Sequence, residues 1–408
     1  MAGPDRSETR RQRFSKTNRR RFLTVTGVAA ASSIGGCLGI LGSDSSDSNT
    51  PTSGTTDFET STVTFGTLTI PAVSEVLIAK EKGYFEERGI DLQIQRIQSA
   101  PQATPQLASG NLDAATGSIG ASLFNSVAQG VEINVVADQT QYWRGQPSSN
   151  KVLIRPEKYT EGMSLSDVSE DFTIALHGPG NVDAYIWGRL LQRNGMTWDD
   201  VQTKEILYTN MTAAMNSGEI DAAAIPDPLG LGMIREAGAK RLLYASEVAP
   251  EMQIGAYIFG GPFINDRPNV AQRWLEAYLL GVRDYYEMGG FPSDEVASIV
   301  NEEFGLPESA VKASIPSLPH KNGQLNTESI MNQQDYHHCR GQVEQKADLS
   351  SIVNESLLEG ALDEVGRLDD PKPSIETINE WGQNAPAPYS ELETIDPPES
   401  FPADSICE

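Results

Sequence analysis

Side chains suited to covalent or metal chemistry are few in this 408-residue chain. They are four histidines, His177, His320, His337 and His338, and three cysteines, Cys37, Cys339 and Cys407. His337-His338-Cys339, with Asp335 close by, offers ligand types that hold a transition metal. Adjacent residues on a helix face different directions, so at most two of the three converge. The sequence has no Gly-x-x-x-x-Gly-Lys-Ser/Thr phosphate loop, no Gly-x-Ser-x-Gly elbow, no His-Glu-x-x-His and no Cys-x-x-Cys. The expectation is no catalytic residue, no metal and no cofactor.

What remains is hydrogen-bonding chemistry at the ends of short strands. Thr67 and Thr69 follow a predicted strand at 63–66. Gln102 follows the alternating apolar residues Ile90, Leu92 and Ile94. Thr116 and Ser118 offer two hydroxyls, with free N–H groups at a helix start, as an anion cradle. Gln139, Tyr142 and Trp143 follow another strand and supply an aromatic wall. Downstream, His177, Gly178 and Asn181 lead into a helix, Thr209 ends a strand with Tyr208, and Asp227 sits in a loop. Each taken singly is equally an ordinary turn or N-cap residue.

These positions need a scaffold of strands alternating with helices. Strands are expected at 113–116, 132–137, 172–176, 205–208, 221–225, 241–244 and 257–260. Helices are expected at 73–82, 101–109 and 121–129, from 182 to Gly195, and from Pro268 onward. Such alternation implies α/β architecture with mostly parallel sheets covered by helices. One repeat organises it. Ser109-Gly110-Asn111-Leu112-Asp113-Ala114-Ala115 recurs as Ser217-Gly218-Glu219-Ile220-Asp221-Ala222-Ala223. Each copy ends a helix at its glycine and feeds a short apolar strand, which implies two similarly built lobes. Ligands of open α/β sheets sit at the carboxyl ends of strands, and domain interfaces favour pockets. The cleft between the lobes is the expected site.

Hydrophobic residues make up 38% of the chain, enough for real cores. Asp and Glu number 56 against 31 Lys and Arg, a net charge of -25, which excludes general attraction to nucleic-acid phosphates. Residues 1–36 run against this trend, with eight basic groups and two acidic ones. The rest is acidic and poor in lysine, so it repels itself in dilute buffer and is screened in strong salt. The pattern resembles proteins of salt-loving archaea.

Arg19-Arg20-Arg21-Phe22-Leu23 opens a weakly apolar run too short to span a bilayer. Basic front, apolar middle and small residues behind form an export signal, and the arginines point to the Tat route. Ile34-Gly35-Gly36-Cys37 resembles a lipobox, which would make Cys37 the lipidated first residue of the mature chain. Residues 1–36 are then a Tat lipoprotein signal peptide. Residues 37–60, rich in Ser, Thr, Asp and Gly, form a flexible tether. Lobe 1 is expected at 61–160 and 248–350, lobe 2 at 161–247, and a helical, proline-rich extension at 351–408. With Cys37 lipidated, Cys339 and Cys407 are the pair left in an oxidising compartment. A disulfide between them would pin the tail and contribute about 4 kcal/mol.

Ala79-Lys80-Glu81-Lys82-Gly83-Tyr84-Phe85-Glu86-Glu87-Arg88-Gly89-Ile90-Asp91-Leu92 resembles the opening of solute-binding proteins of the nitrate/sulfonate/taurine type, components of ABC importers. Residues 109–120 resemble their first ligand loop. Gly218 to Ala224 with Pro226-Asp227-Pro228 resembles their second. The resemblance covers roughly 61–290. It implies a type II periplasmic-binding-protein fold with a helical C-terminal extension. It also implies capture of a small organic or anionic solute for a membrane permease and its ATPase.

Three departures stand out. Pro226 occupies a position where these proteins usually carry Trp, Gly178-Pro179-Gly180-Asn181 lacks their hydroxyls, and Asp183 in a first helical turn would repel an anion. A neutral or amphipathic solute, such as a pyrimidine-like ring, therefore stays open. Thiamine-pyrimidine synthases resemble this family too, so the alternatives are an enzyme of that branch and an extracellular ligand-sensing domain. The signal, lipobox and tether place the chain on the outer face of the membrane.

Overall fold

The run Ser61–Thr67 buries Val63 and Phe65 between two helical layers and forms the first strand, β1. The structure is a computed structural model and describes residues 61–374, apart from 164–166, 169–170 and 179. The signal peptide, Cys37, the tether and Cys407 lie outside the described residues.

The other strands are β2 (Ile90–Arg96), β3 (Ala114–Ser118), β4 (Ile133–Gln141), β5 (Lys151–Ile154), β6 (Thr173–Leu176), β7 (Gln202–Glu205), β8 (Ala222–Ile225), β9 (Lys240–Tyr244) and β10 (Gln253–Gly260). They form two five-stranded sheets, ordered β2-β1-β3-β10-β4 and β7-β6-β8-β5-β9. β1 runs parallel to β2 and β3, while β10 is antiparallel to β3 and β4. Likewise β6 runs parallel to β7 and β8, while β5 is antiparallel to β8 and β9. The two sheets therefore match strand for strand, each with one reversed strand in fourth place.

The repeated segment holds the same structural place in both lobes. Helices Ala103–Ala108 and Tyr208–Asn216 end at glycines in left-handed backbone, Gly110 at φ 73° and Gly218 at φ 75°. A residue with a side chain is strained there. Asp113 accepts the Thr64 N–H at 2.8 Å and pairs with Arg267. Asp221 accepts the Thr173 N–H at 3.0 Å and pairs with Arg155 at 2.7 Å. Each aspartate thus ties its central strand to the neighbouring one and to an arginine.

Both faces of each sheet are covered, so the central strands read as continuous apolar runs. In lobe 1, Phe65, Tyr257 and Phe259 of the sheet pack against Trp274 and Tyr278 of helix Pro268–Glu287. Leu107, Leu112, Phe124 and Ile258 fill the other face. In lobe 2, Val152, Ile174, Trp187 and Leu190 fill one face, and Leu153, Met211, Met215 and Ile220 the other. Among the described residues no helix is long and apolar enough to cross a membrane.

Three boundaries differ from the sequence reading. β5 precedes residue 161 yet pairs in the second sheet, because β8 and β9 both need an antiparallel partner there. The strand expected at 205–208 lies at Gln202–Glu205, and Tyr208 opens a helix, so Thr209 does not end a strand. Residues 351–366 are not a separate appendage. Ile352, Leu358 and Leu362 are buried in lobe 1, and Val353 bridges to Val135 of β4.

Candidate functional site

The lobes are joined by two crossover segments that run side by side. Tyr142 N–H donates to the Met252 carbonyl at 2.9 Å and Ala245 N–H to the Asn150 carbonyl at 3.0 Å. Ser246 Oγ donates to the Gln146 carbonyl at 2.7 Å. Paired crossovers of this kind can act as a hinge for closure around a ligand. Helix Thr327–Cys339 makes a third connection. Ile330 is buried in lobe 1, while Tyr336 is buried in lobe 2, where its hydroxyl accepts the Trp198 indole N–H at 2.8 Å.

The loops at the carboxyl ends of the central strands meet at the junction. Ala121 N–H, at the start of helix Ala121–Ala128, donates to the Gly180 carbonyl of the loop after β6, at 2.9 Å. Gly120 lies so close to Gly180 that a Cβ there would collide with its carbonyl oxygen. A second bridge runs from Ile315 N–H to Asp227 Oδ2 at 3.0 Å.

In lobe 1, Thr67 and Thr116 lie on adjacent strands, buried, with the Thr116 hydroxyl donating to Thr67 Oγ1 at 3.3 Å. Ser118 is half-buried at the end of β3. Gln139 is buried, and its amide donates to the Ala72 carbonyl at 2.8 Å, beside the loop after β1. The N–H cradle expected beyond Ser118 is partly occupied, since Ile119 N–H donates to the Ile254 carbonyl and Ala121 N–H to Gly180. Trp143 does not stand free as a wall. Its indole donates to the Leu318 carbonyl at 2.7 Å and its ring stacks on His320. Thr69 and Gln102 are exposed, and Gln102 Oε1 accepts the Gln98 N–H at 3.1 Å.

In lobe 2, His177, Gly178 and Asn181 share the loop that meets Ala121, all half-buried. The His177 ring stacks on Tyr208 with centroids 4.1 Å apart, and its Nδ1 accepts the Tyr208 N–H at 3.3 Å. Burial holds the His177 imidazole below its usual pKa, which favours the neutral ring. Thr209 is exposed on the helix that Tyr208 begins. Asp227 is committed to an ion pair with Lys151, both side chains nearly inaccessible. Burial lowers the Lys151 pKa, and the Asp227 charge opposes that shift.

Lys151 is the group the sequence reading missed. The signal was present: a lysine opening the apolar run Val152-Leu153-Ile154 in a chain poor in lysine. Asp183 does more than repel an anion. It is buried, its Oδ2 accepts the His177 N–H, and burial raises its pKa to about 7. Among the described residues, His337 and His338 are not joined by further His, Cys, Asp or Glu side chains into a metal-ligating group. Their Nδ1 atoms lie 2.8 Å from Gln342 Oε1 and from the Val343 carbonyl, and Cys339 is in a disulfide.

Two matched α/β lobes, twin crossovers and strand-end loops meeting at the junction define the two-lobed periplasmic-binding-protein fold. Three structural neighbours share it. The periplasmic nitrate-binding protein of Synechocystis PCC 6803 is 15% identical, with a TM-score of 0.61 over 78% of this chain and 92% of its own. The alkanesulfonate-binding protein of Xanthomonas axonopodis pv. citri, bound to MOPS, is 18% identical, with a TM-score of 0.58 over 73% and 100%. A ligand-binding component of an ABC-type import system from Staphylococcus aureus is 14% identical, with a TM-score of 0.60 over 74% and 98%. No curated protein sequence matches the chain. Residues 56–284 match the model of the NMT1-like family, and the chain belongs to that family.

Proposed function

We propose that this chain is the solute-binding component of an ABC importer. It takes up one small solute between its lobes and presents the closed form to a permease and its ATPase. The observation that carries this is the Ala121–Gly180 bond, which joins strand-end loops of the two lobes directly. The fold of the nitrate- and alkanesulfonate-binding neighbours supports the same reading.

The finer parts of the reading rest on sequence. Tat export and lipidation at Cys37 would hold the protein on the outer face of the membrane, with residues 38–60 as its tether. The acidic surface suits molar salt. Thr67, Thr116, Ser118, Gln139, His177, Gly178 and Asn181 are the contacts we assign to the solute. Asp227, paired with Lys151, shapes the wall of the cleft. We read the protein as non-catalytic: His177 Nδ1 is already engaged by a backbone N–H and is not poised against a nucleophile.

The test starts from protein purified from its own cells. Solute released by heating is identified by mass spectrometry, and its uptake is followed in cells with and without the chain. Uptake lost on deletion and restored by the intact gene is the expected result. Unchanged uptake would refute the import role.

A further inference from the structure

Asp183 is fully buried at the second position of the twelve-residue helix Val182–Arg193. Its Oδ2 accepts the His177 N–H and the carboxylate faces the N–H groups of Asp183 and Ala184 in the first helical turn, but its Oδ1 makes no hydrogen bond of normal geometry. A buried acceptor left unmade is costly, and native proteins rarely tolerate one without a reason. The helix starts two residues after Gly180, whose carbonyl meets lobe 1, so Asp183 follows the junction loop by three residues. Among the described residues, the titratable groups tied to it are His177, whose backbone N–H it accepts, and Tyr208 on helix Tyr208–Asn216, which stacks on the His177 ring. None of these carries a positive charge at neutral pH. Four residues on, the Trp187 indole N–H is also buried without a partner, and this spacing puts both on one helix face.

We propose that Asp183 Oδ1 receives an N–H group of the solute, so that the captured class is an ammonium, amidinium or heterocyclic N–H compound rather than a nitrate or sulfonate. This rests on the solute-binding reading above. A nitrate or sulfonate brings no proton to the open oxygen and would face a carboxylate across a dry junction. An N–H donor satisfies the oxygen, and a cationic one also neutralises its charge. The raised pKa of the free carboxyl agrees with a site that lacks its counter-charge until the solute arrives.

The competing possibility is a protonated Asp183 that donates to an anion. The two differ in pH dependence. A cation bound to the carboxylate loses affinity about tenfold per unit below pH 7, whereas an anion bound to the acid gains affinity on acidification.

The experiment is isothermal titration of the mature chain in molar KCl between pH 5.5 and 8.5. Acetamidinium, ethylammonium and cytosine form one arm; nitrate and methanesulfonate form the other. The expected result is 1:1 binding of at least one N–H probe. A cationic probe should weaken on acidification, and Asp183→Asn should cost at least tenfold in affinity. Asn still accepts the His177 N–H, so the variant should fold with an unchanged melting temperature. Nitrate or methanesulfonate binding that survives Asp183→Asn would leave the solute-binding reading standing and overturn this one. Failure of every N–H probe would overturn it as well.

Discussion

Ala121 in lobe 1 donates its backbone N–H to the carbonyl of Gly180 in lobe 2, at 2.9 Å. A Cβ at Gly120 would collide with the Gly180 carbonyl oxygen and one at Gly180 with the Ala121 methyl, and Gly180 adopts a φ of 78° that favours glycine.

Gly120→Ala should therefore block closure with little effect on either lobe. The expected outcome is at least tenfold weaker solute binding, with a melting temperature within a few degrees of wild type. Titration calorimetry and thermal denaturation check the two halves. Wild-type affinity in the variant would mean that the lobes need not approach this closely.

Lys151→Met should be strongly destabilising, because it leaves the Asp227 carboxylate buried without its cation. Breaking one side of such a pair costs about 3–5 kcal/mol. Adding Asp227→Asn should recover most of the loss. Denaturant unfolding of the single and double variants checks this, and equal stability of the two would show that the pair carries no such penalty.

Asp113→Ala and Asp221→Ala should cost similar amounts, about 2–4 kcal/mol each. Each removes an acceptor for a backbone N–H and strands an arginine, Arg267 or Arg155. Losses that differ by more than twofold in unfolding experiments would argue against equivalent roles in the two lobes.

These aspartates show what sequence could and could not reveal. The seven-residue repeat carried the two-lobe architecture, since helix end, glycine, aspartate and strand are local features. Ile90, Leu92 and Ile94 gave β2 by alternation. β5 was missed because Lys151–Ile154 is short, buried on both faces and does not alternate. β7 was displaced because Gln202–Glu205 is an exposed edge strand, held by backbone pairing to β6 rather than by burial. In the site, strand-end positions such as Thr67, Thr116 and His177 were legible. The pairing of Asp227 with Lys151 was not, because it joins distant segments through tertiary packing alone.

Stability should decline as pH rises from about 5 to 8. Glu75 and Asp138 are buried, and burial lifts their pKa values to about 8 and about 6, above their ordinary values near 4. The fold therefore prefers their protonated forms. Their contribution is complete below about pH 4 and is lost as pH climbs through the raised values. Glu75→Gln should flatten the profile, and its advantage over wild type should grow with pH by at most about 1.4 kcal/mol per unit. Parallel profiles for the two proteins would contradict the buried neutral Glu75.

Intact-mass analysis should find Cys339 and Cys407 in one disulfide, with a mass gain of two hydrogen atoms when a thiol reductant supplies the two electrons. Cys339 is disulfide-bonded, and Cys407 is the partner we assign. Alkylation of both residues in unreduced protein would remove that pairing.

The most direct test of solute capture is a thermal-shift panel on the mature chain in molar salt. It would span nitrate, alkyl sulfonates, bicarbonate, amines, amidines, pyrimidines and short amides. A ligand at about 100 times its dissociation constant adds roughly 2.7 kcal/mol, enough for a shift of several degrees. The expected result is a saturable rise with one chemical class, abolished by Gly120→Ala. A folded protein that shifts with none of them, and that releases no solute on heating, would contradict a binding role for the cleft.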